Sequence, residues 1–218
     1  MKFAIVLNAA LTFYAAAVFS SEQAMSSPPV PLDFLRTYDA VACSILAQTA
    51  SDSLTATQRQ QLKKHINSAF DFAKLGKLAL GDHWERRSAD EKALFVDTFE
   101  SIVGEQDFSS FVDYYNKSIK INFQDEEVEQ NKALVRAKVP TRNDTVDIIY
   151  LMHRREGQWR VYDLVIDEAS TATGYYKRYA RFLNKNPLNS FWRSWKSSAT
   201  ACLPDKRQSP GNPFSQIN

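Results

Sequence analysis

Ile119-Lys120-Ile121-Asn122-Phe123-Gln124, followed by Ala133-Leu134-Val135-Arg136-Ala137-Lys138-Val139, is where this chain changes its period. Apolar side chains that recur every three to four residues upstream now alternate with polar ones, the mark of strands with one buried face. The Asn143-Asp144 turn leads into a third run from Val146 to His153, and Glu156-Gly157 turns the chain into a fourth from Trp159 to Ile166. Four strands on short connections predict an antiparallel meander, and the helices ahead of it make the class α+β, with N-terminal helices packed on a curved four-stranded sheet. In the last two strands both registers are apolar: Ile148/Tyr150/Met152 and Ile149/Leu151 in one, Trp159/Val161/Val165 and Tyr162/Leu164/Ile166 in the other. Both sheet faces are therefore expected to meet apolar matter.

Working back from the sheet, Phe108, Phe111, Val112 and Tyr115 predict a short helix. Ahead of it, Ser88-Ala89-Asp90-Glu91 is a capping box, with Leu94, Phe95, Thr98, Phe99 and Ile102 following at helical spacing. The segment Phe70 to Leu80, ended by Gly81, carries apolar residues all round, more than one core face consumes. A helix with Leu62, Ile66 and Ala69 on its stripe opens at Thr55, which Gln58 answers three residues on, and an amphipathic helix carries Leu35, Tyr38, Ala42, Ile45, Leu46 and Thr49. Beyond the sheet, a helix from about Ser170 to Asn184 precedes an aromatic-rich stretch with Phe191, Trp192 and Trp195.

Lys2, the apolar run Phe3 to Phe19 and the small residues after it have the order of a secretory signal over residues 1–20, with an uncleaved anchor as the alternative. Residues 21–31 then form a Ser/Pro linker, 32–200 a single domain and 201–218 a C-terminal tail. With a net charge of +2 and 24% charged residues, general nucleic-acid binding and wholesale disorder are disfavoured. Charge is uneven: Asp125, Glu126, Glu127 and Glu129 form an acidic run, whereas Lys177, Arg178, Arg181, Lys185, Arg193, Lys196, Lys206 and Arg207 make the C-terminal part basic. That basic part suits either solvated helix faces or docking to an anionic surface or partner. Cys43 and Cys202 form a disulfide in an oxidising compartment, or stand as two unpaired buried thiols.

The three histidines, His65, His83 and His153, do not sit at metal-ligand spacing with a second ligand, so no metal is expected. There is no phosphate-cradling glycine loop, nucleophile elbow or Cys-x-x-Cys, and no cofactor is expected. One enzymatic reading survives: Asp163 and Asp167, four apart on a strand and so on one face, with Asp163 as general base in the cavity of a cone-shaped α+β fold. The plainer reading of Asp163 is a hydrogen-bonded structural residue.

Phe70-Asp71-Phe72, Leu80-Gly81-Asp82-His83-Trp84, Phe95 and Phe99 after the capping box, Tyr115, and Gly157-Gln158-Trp159-Arg160-Val161-Tyr162-Asp163 occur in the order of landmarks of a known family. The chain resembles, over about residues 33 to 196, the periplasmic phospholipid-binding family of the Mla (toluene-tolerance) lipid transport system. The resemblance implies an NTF2-like cone with a deep hydrophobic cavity, and a monomeric carrier moving lipid between an inner-membrane ABC transporter and an outer-membrane lipoprotein complex. It implies a non-enzymatic role. This chain departs from the family with Glu168-Ala169-Ser170 in place of Gly-Val-Ser and Gly174-Tyr175-Tyr176 in place of Asn-Tyr-Arg, which leaves phospholipid and a hopanoid-like polycyclic lipid both open as cargo.

The expected cavity lining is Phe70, Leu75, Leu78, Trp84, Phe99, Tyr115, Leu151, Trp159, Val161 and Val165, taken from segments with more apolar surface than one core face uses. Each is equally what an ordinary core contains. Tyr176, Lys177, Arg178 and Arg181 are candidates for membrane or partner docking, or else the outer face of an amphipathic helix.

Overall fold

A computed structural model describes residues 30–47, 54–116, 119–140 and 144–183. The signal segment, residues 21–29 of the linker, Cys202, the Phe191 to Trp195 aromatics and the tail lie outside the described residues. Helix α1 spans Pro31–Ala47 and buries Leu35, Ala42 and Leu46, one stripe at helical spacing. Helix α2 spans Ala56–Ser68 and opens on the Thr55/Gln58 capping box that the sequence predicts. Helix α3, Phe72–Leu80, starts two residues later than the apolar run suggests, because the Asp71 carboxylate caps it by accepting from the Lys74 N–H at 2.9 Å. Gly81 ends α3 at φ +53°, and a one-turn helix α4, Asp82–Glu85, follows.

Helix α5 runs unbroken over Ala89–Asn116, where the sequence suggests two helices. Gly104 lies inside it as a packing residue: a Cβ there would stand 2.4 Å from the Asn67 side-chain amide of α2, so any other residue would have to displace that amide. The capping box is made, Glu91 N–H donating to Ser88 Oγ and Ser88 N–H to the Glu91 carboxylate.

The sheet has five antiparallel strands in sequence order: β1 Asn122–Glu129, β2 Lys132–Pro140, β3 Thr145–Arg155, β4 Gln158–Ile166 and the two-residue β5 Ala169–Ser170. The fifth strand corrects the expected count of four. Tight turns join three pairs, at Gln130, at Glu156-Gly157 and at Asp167-Glu168, all with positive φ. Strand β1 begins later than the alternation suggests and carries the acidic run, paired through a bulge between Phe123 and Glu126. Arg136 of β2 holds both Asp125 and Glu127.

A second bulge decides which face β4 presents. Leu151 pairs with Asp163 but Met152 pairs with Val161, so Tyr162 is the extra residue and the alternation shifts by one. Trp159, Val161, Leu164 and Ile166 therefore face the core, whereas Val165 is half-buried on the other side. The expected set Trp159/Val161/Val165 is split by this shift. Nor do Asp163 and Asp167 share a face: Asp167 lies past the end of β4, in the turn, where its carboxylate accepts from the Asp147 N–H.

Three apolar clusters result. The sheet's inner face packs with Leu35 of α1, α3 packs with α5 and Thr171–Leu183 (helix α6) around Phe95 and Phe99, and α1, α2 and α5 meet around Leu62 and Phe108.

Candidate functional site

The junction between α2 and α3 is bound to the sheet by its backbone. Val161 N–H donates to Ala69 O and Asp71 N–H donates to Val161 O, both at 2.8 Å, so residues 69–71 act as a short parallel neighbour of β4. This places consecutive side chains on two different surfaces. Phe70 faces an apolar cleft between α1, the end of α2 and the sheet's inner face, and it also borders a polar hollow of about 320 Å³ beside Asp71.

The cleft is lined by Leu35, Tyr38, Asp39 and Ala42 from α1, Ile66 and Ala69 from α2, Phe70, Ile121 and Phe123 before and in β1, Tyr150 of β3, and Val161 and Leu164 of β4. Its volume is about 100 Å³. Polar atoms are few: burial raises the Asp39 carboxyl's pKa above the ordinary carboxylate value. Tyr38 donates to or accepts from Ser68, stacks on His65 with ring centroids 4.1 Å apart, and has its pKa raised by burial against the opposing influence of Ser68 and the Arg160 charge.

Asp71 anchors the polar side. Its side chain is 4% exposed and accepts from Lys74 N–H, from His153 Nε2 at 2.9 Å and from Arg155 at 3.2 Å. Burial raises its pKa, but the Lys74 N–H, Arg155 and His153 together outweigh burial and hold it below the ordinary carboxylate value. Burial, followed by the Lys74 charge, holds His153 below the ordinary imidazole value in spite of the Asp71 hydrogen bond.

Of the residues expected to line a cavity, Phe70 and Val161 come together in this cleft. Leu75 and Phe99 are buried in the α3/α5/α6 cluster, with Trp84 against it, and Trp159 is buried in the sheet cluster. Tyr115 packs on the α1/α2/α5 cluster, while Leu151 and Val165 are half-buried on the sheet's other face. Leu78 is 41% exposed, because α3 has a wet face after all, shared with Lys77. The α1 wall was legible only as a core stripe: Leu35, Tyr38, Asp39 and Ala42 follow i, i+3, i+4, i+7.

Asp163 is 5% exposed, and both its oxygens are engaged, Oδ1 with the Ala172 N–H at 2.9 Å and Oδ2 with the Ser170 hydroxyl at 2.6 Å. It secures the start of α6 and faces away from the cleft. Tyr176 lies over Gly81, where a Cβ would meet its ring at 2.5 Å, and Lys177 and Arg181 are exposed on α6, with Arg178 half-buried. Cys43 is half-buried on α1 and makes no disulfide among the described residues.

The family model for MlaC protein matches residues 36–197. The chain belongs to the MlaC family. Over 146 residues it is 23% identical to the intermembrane phospholipid transport system binding protein MlaC of Haemophilus influenzae, an alignment covering 65% of this chain and 66% of that protein, just under two thirds of its length. A solved structure of a phospholipid-binding protein from Ralstonia solanacearum, in complex with a phospholipid, shares the MlaC-like fold with a TM-score of 0.64 at 18% identity, covering 77% of this chain and 97% of that one.

Proposed function

We propose that this chain is a periplasmic, non-enzymatic carrier of phospholipid that acts as a monomer, receives lipid at one membrane complex and releases it at another. The observation that carries the reading is the apolar cleft between α1, α2 and the sheet, in a chain of the MlaC family. Transfer of a lipid makes and breaks no covalent bond. It requires a surface that replaces water around acyl chains, worth about 0.8 kcal/mol for each buried CH₂.

The size of the cleft gives the reading a physical condition. An apolar cavity of about 150 Å³ holds one benzene ring, so the cleft's 100 Å³ is too small for a diacyl lipid. Loading therefore needs one wall to move outward. The wall suited to move is α1, which meets β1 through the Leu32 N–H to the Glu126 carboxylate and Arg36 to Phe123 O, with no strand ladder between them. The opposite wall is held by the ladder of β4 and the two bonds at Val161.

Phospholipid is favoured over a polycyclic cargo because the departures from the family pattern do not reach the cleft. Ala169 lies in β5, Tyr176 covers Gly81, and neither Glu168 nor Gly174 is among the residues that line the cleft. The reading of Asp163 as general base finds no support in a carboxylate occupied on both oxygens by the start of α6.

Native mass spectrometry of protein isolated from a bacterial periplasm, followed by solvent extraction, tests the proposal. Phospholipid at one molecule per chain is the expected result. Protein that is empty on isolation and takes up no lipid from vesicles overturns it.

A further inference from the structure

Phe70 stands on the boundary between the apolar cleft and the polar hollow, and so joins two surfaces of opposite character. The hollow, lined also by Asp71, Arg155, Glu156, Gln158 and Arg160, is more than large enough for a phosphodiester. Its charges are not equivalent. Arg155 is neutralised by the buried Asp71 at 3.2 Å and by Glu156 at 3.7 Å. Arg160 is oriented by neutral acceptors, the Trp159 carbonyl at 2.9 Å and Gln158 Oε1 at 2.6 Å, and has no carboxylate within ion-pair distance among the described residues. Among the described residues, Phe70 alone lines both the hollow that holds Arg160 and the cleft.

A guanidinium held in place, without an anionic partner, in a hollow that shares Phe70 with an apolar cleft is suited to a phosphate oxygen, which it meets with charge-assisted and bidentate hydrogen bonds. We infer that the hollow beside Phe70 is a headgroup subsite in which Arg160 binds the phosphate of a glycerophospholipid whose chains occupy the cleft. This rests on the carrier reading above and adds to it a residue that discriminates a phospholipid from a neutral diacylglycerol. Asp71 and Glu156 do not oppose it, because Asp71 is fully engaged by Lys74, His153 and Arg155, and Glu156 is 85% exposed and turned to Arg155.

The test is calorimetric titration of the full chain, freed of lipid, with dihexanoyl phosphatidylglycerol, with dihexanoylglycerol and with inorganic phosphate, for the wild type, Arg160→Gln and Arg160→Lys. Losing one charge-assisted hydrogen-bonded contact should weaken phosphatidylglycerol binding about tenfold in Arg160→Gln. Diacylglycerol affinity should not change, and Arg160→Lys should recover part of the loss. Equal wild-type affinity for the two lipids, or an Arg160→Gln protein that holds phosphatidylglycerol as well as the wild type, overturns the headgroup subsite and leaves the carrier reading standing. Inorganic phosphate bound as tightly as phosphatidylglycerol, and lost in Arg160→Gln, identifies a free-phosphate site and also overturns it. A wild type that binds neither lipid removes the carrier reading and the subsite with it.

Discussion

Replacing Asp71 by alanine tests how the α2–α3 junction is held. Three interactions end at this carboxylate, and each can be assigned a magnitude. Loss of the α3 cap costs about 1 kcal/mol. His153, whose side chain is 17% exposed, loses its acceptor, which costs a further 1–2 kcal/mol, roughly. Arg155 is 53% exposed, so its pair is screened by solvent and adds no more than about 0.5 kcal/mol. The total, about 2–3.5 kcal/mol, is a large fraction of the roughly 5–15 kcal/mol that holds a domain folded. Asp71→Asn keeps an oxygen for the Lys74 N–H and sets an NH2 in place of Oδ2, from which the neutral His153 ring can accept in its other tautomer, so with the charge lost it should cost about 1 kcal/mol. Urea unfolding of the two variants beside the wild type, with unchanged m-values, measures both. A loss below 0.5 kcal/mol for the alanine variant, on the order of a neutral surface substitution, or equal losses for the two variants, refutes this account of the junction.

Gly81→Ala should destabilise by about 2–3 kcal/mol, because φ is +53° with ψ −131° and the new Cβ meets the Tyr176 ring; Tyr176→Ala in the same chain should restore only the steric part, as thermal unfolding will show. Asp163→Asn should speed amide exchange at Ala172 and through the first turn of α6, with a stability loss of about 1 kcal/mol; unchanged exchange there would contradict its role as the anchor of α6. Acid should weaken the fold in two stages. His153 has its pKa lowered in the folded chain, so the unfolded chain takes up its proton first and stability falls as the pH drops below about 6.5. The contribution of Asp71, whose pKa is also lowered, is complete above about pH 4 and is lost as pH falls through the folded value. His153→Gln should flatten the first stage and leave the second, which urea midpoints across the pH range will resolve. Ala42→Leu should fill part of the cleft and reduce lipid uptake from vesicles with a stability change under about 3 kcal/mol.

The class of fold and most element starts were legible because they rest on local chemistry, as the capping boxes at Thr55 and Ser88 illustrate. What misled was non-local. The two helices expected from the Ser88 capping box and from Phe108 to Tyr115 are one, α5, with Gly104 packed against α2, and the acidic run over residues 125–129 lies in β1, where β2 supplies the pairing. The bulge at Tyr162 is invisible in a strand whose two registers are both apolar, yet it moves Val165 off the core face, and Asp167 parts from Asp163 because β4 ends at Ile166 and the chain turns there. The candidate site was half legible: Phe70 and Val161 belong to segments too apolar for one face, whereas the α1 wall has an ordinary amphipathic stripe and acquires its role only from what it faces.

The carboxylates of β1 bear on how one copy of this chain would meet another. An edge strand offers unpaired backbone groups to any second molecule, and here that edge borders the apolar residues Ile121 and Phe123. Two copies aligned edge to edge would bring Asp125, Glu126, Glu127 and Glu129 of each against the same residues of the other, with Arg136 already engaged on its own chain. Mutual repulsion along that seam opposes such a pairing, and salt concentrated enough to screen it should promote self-association of the chain.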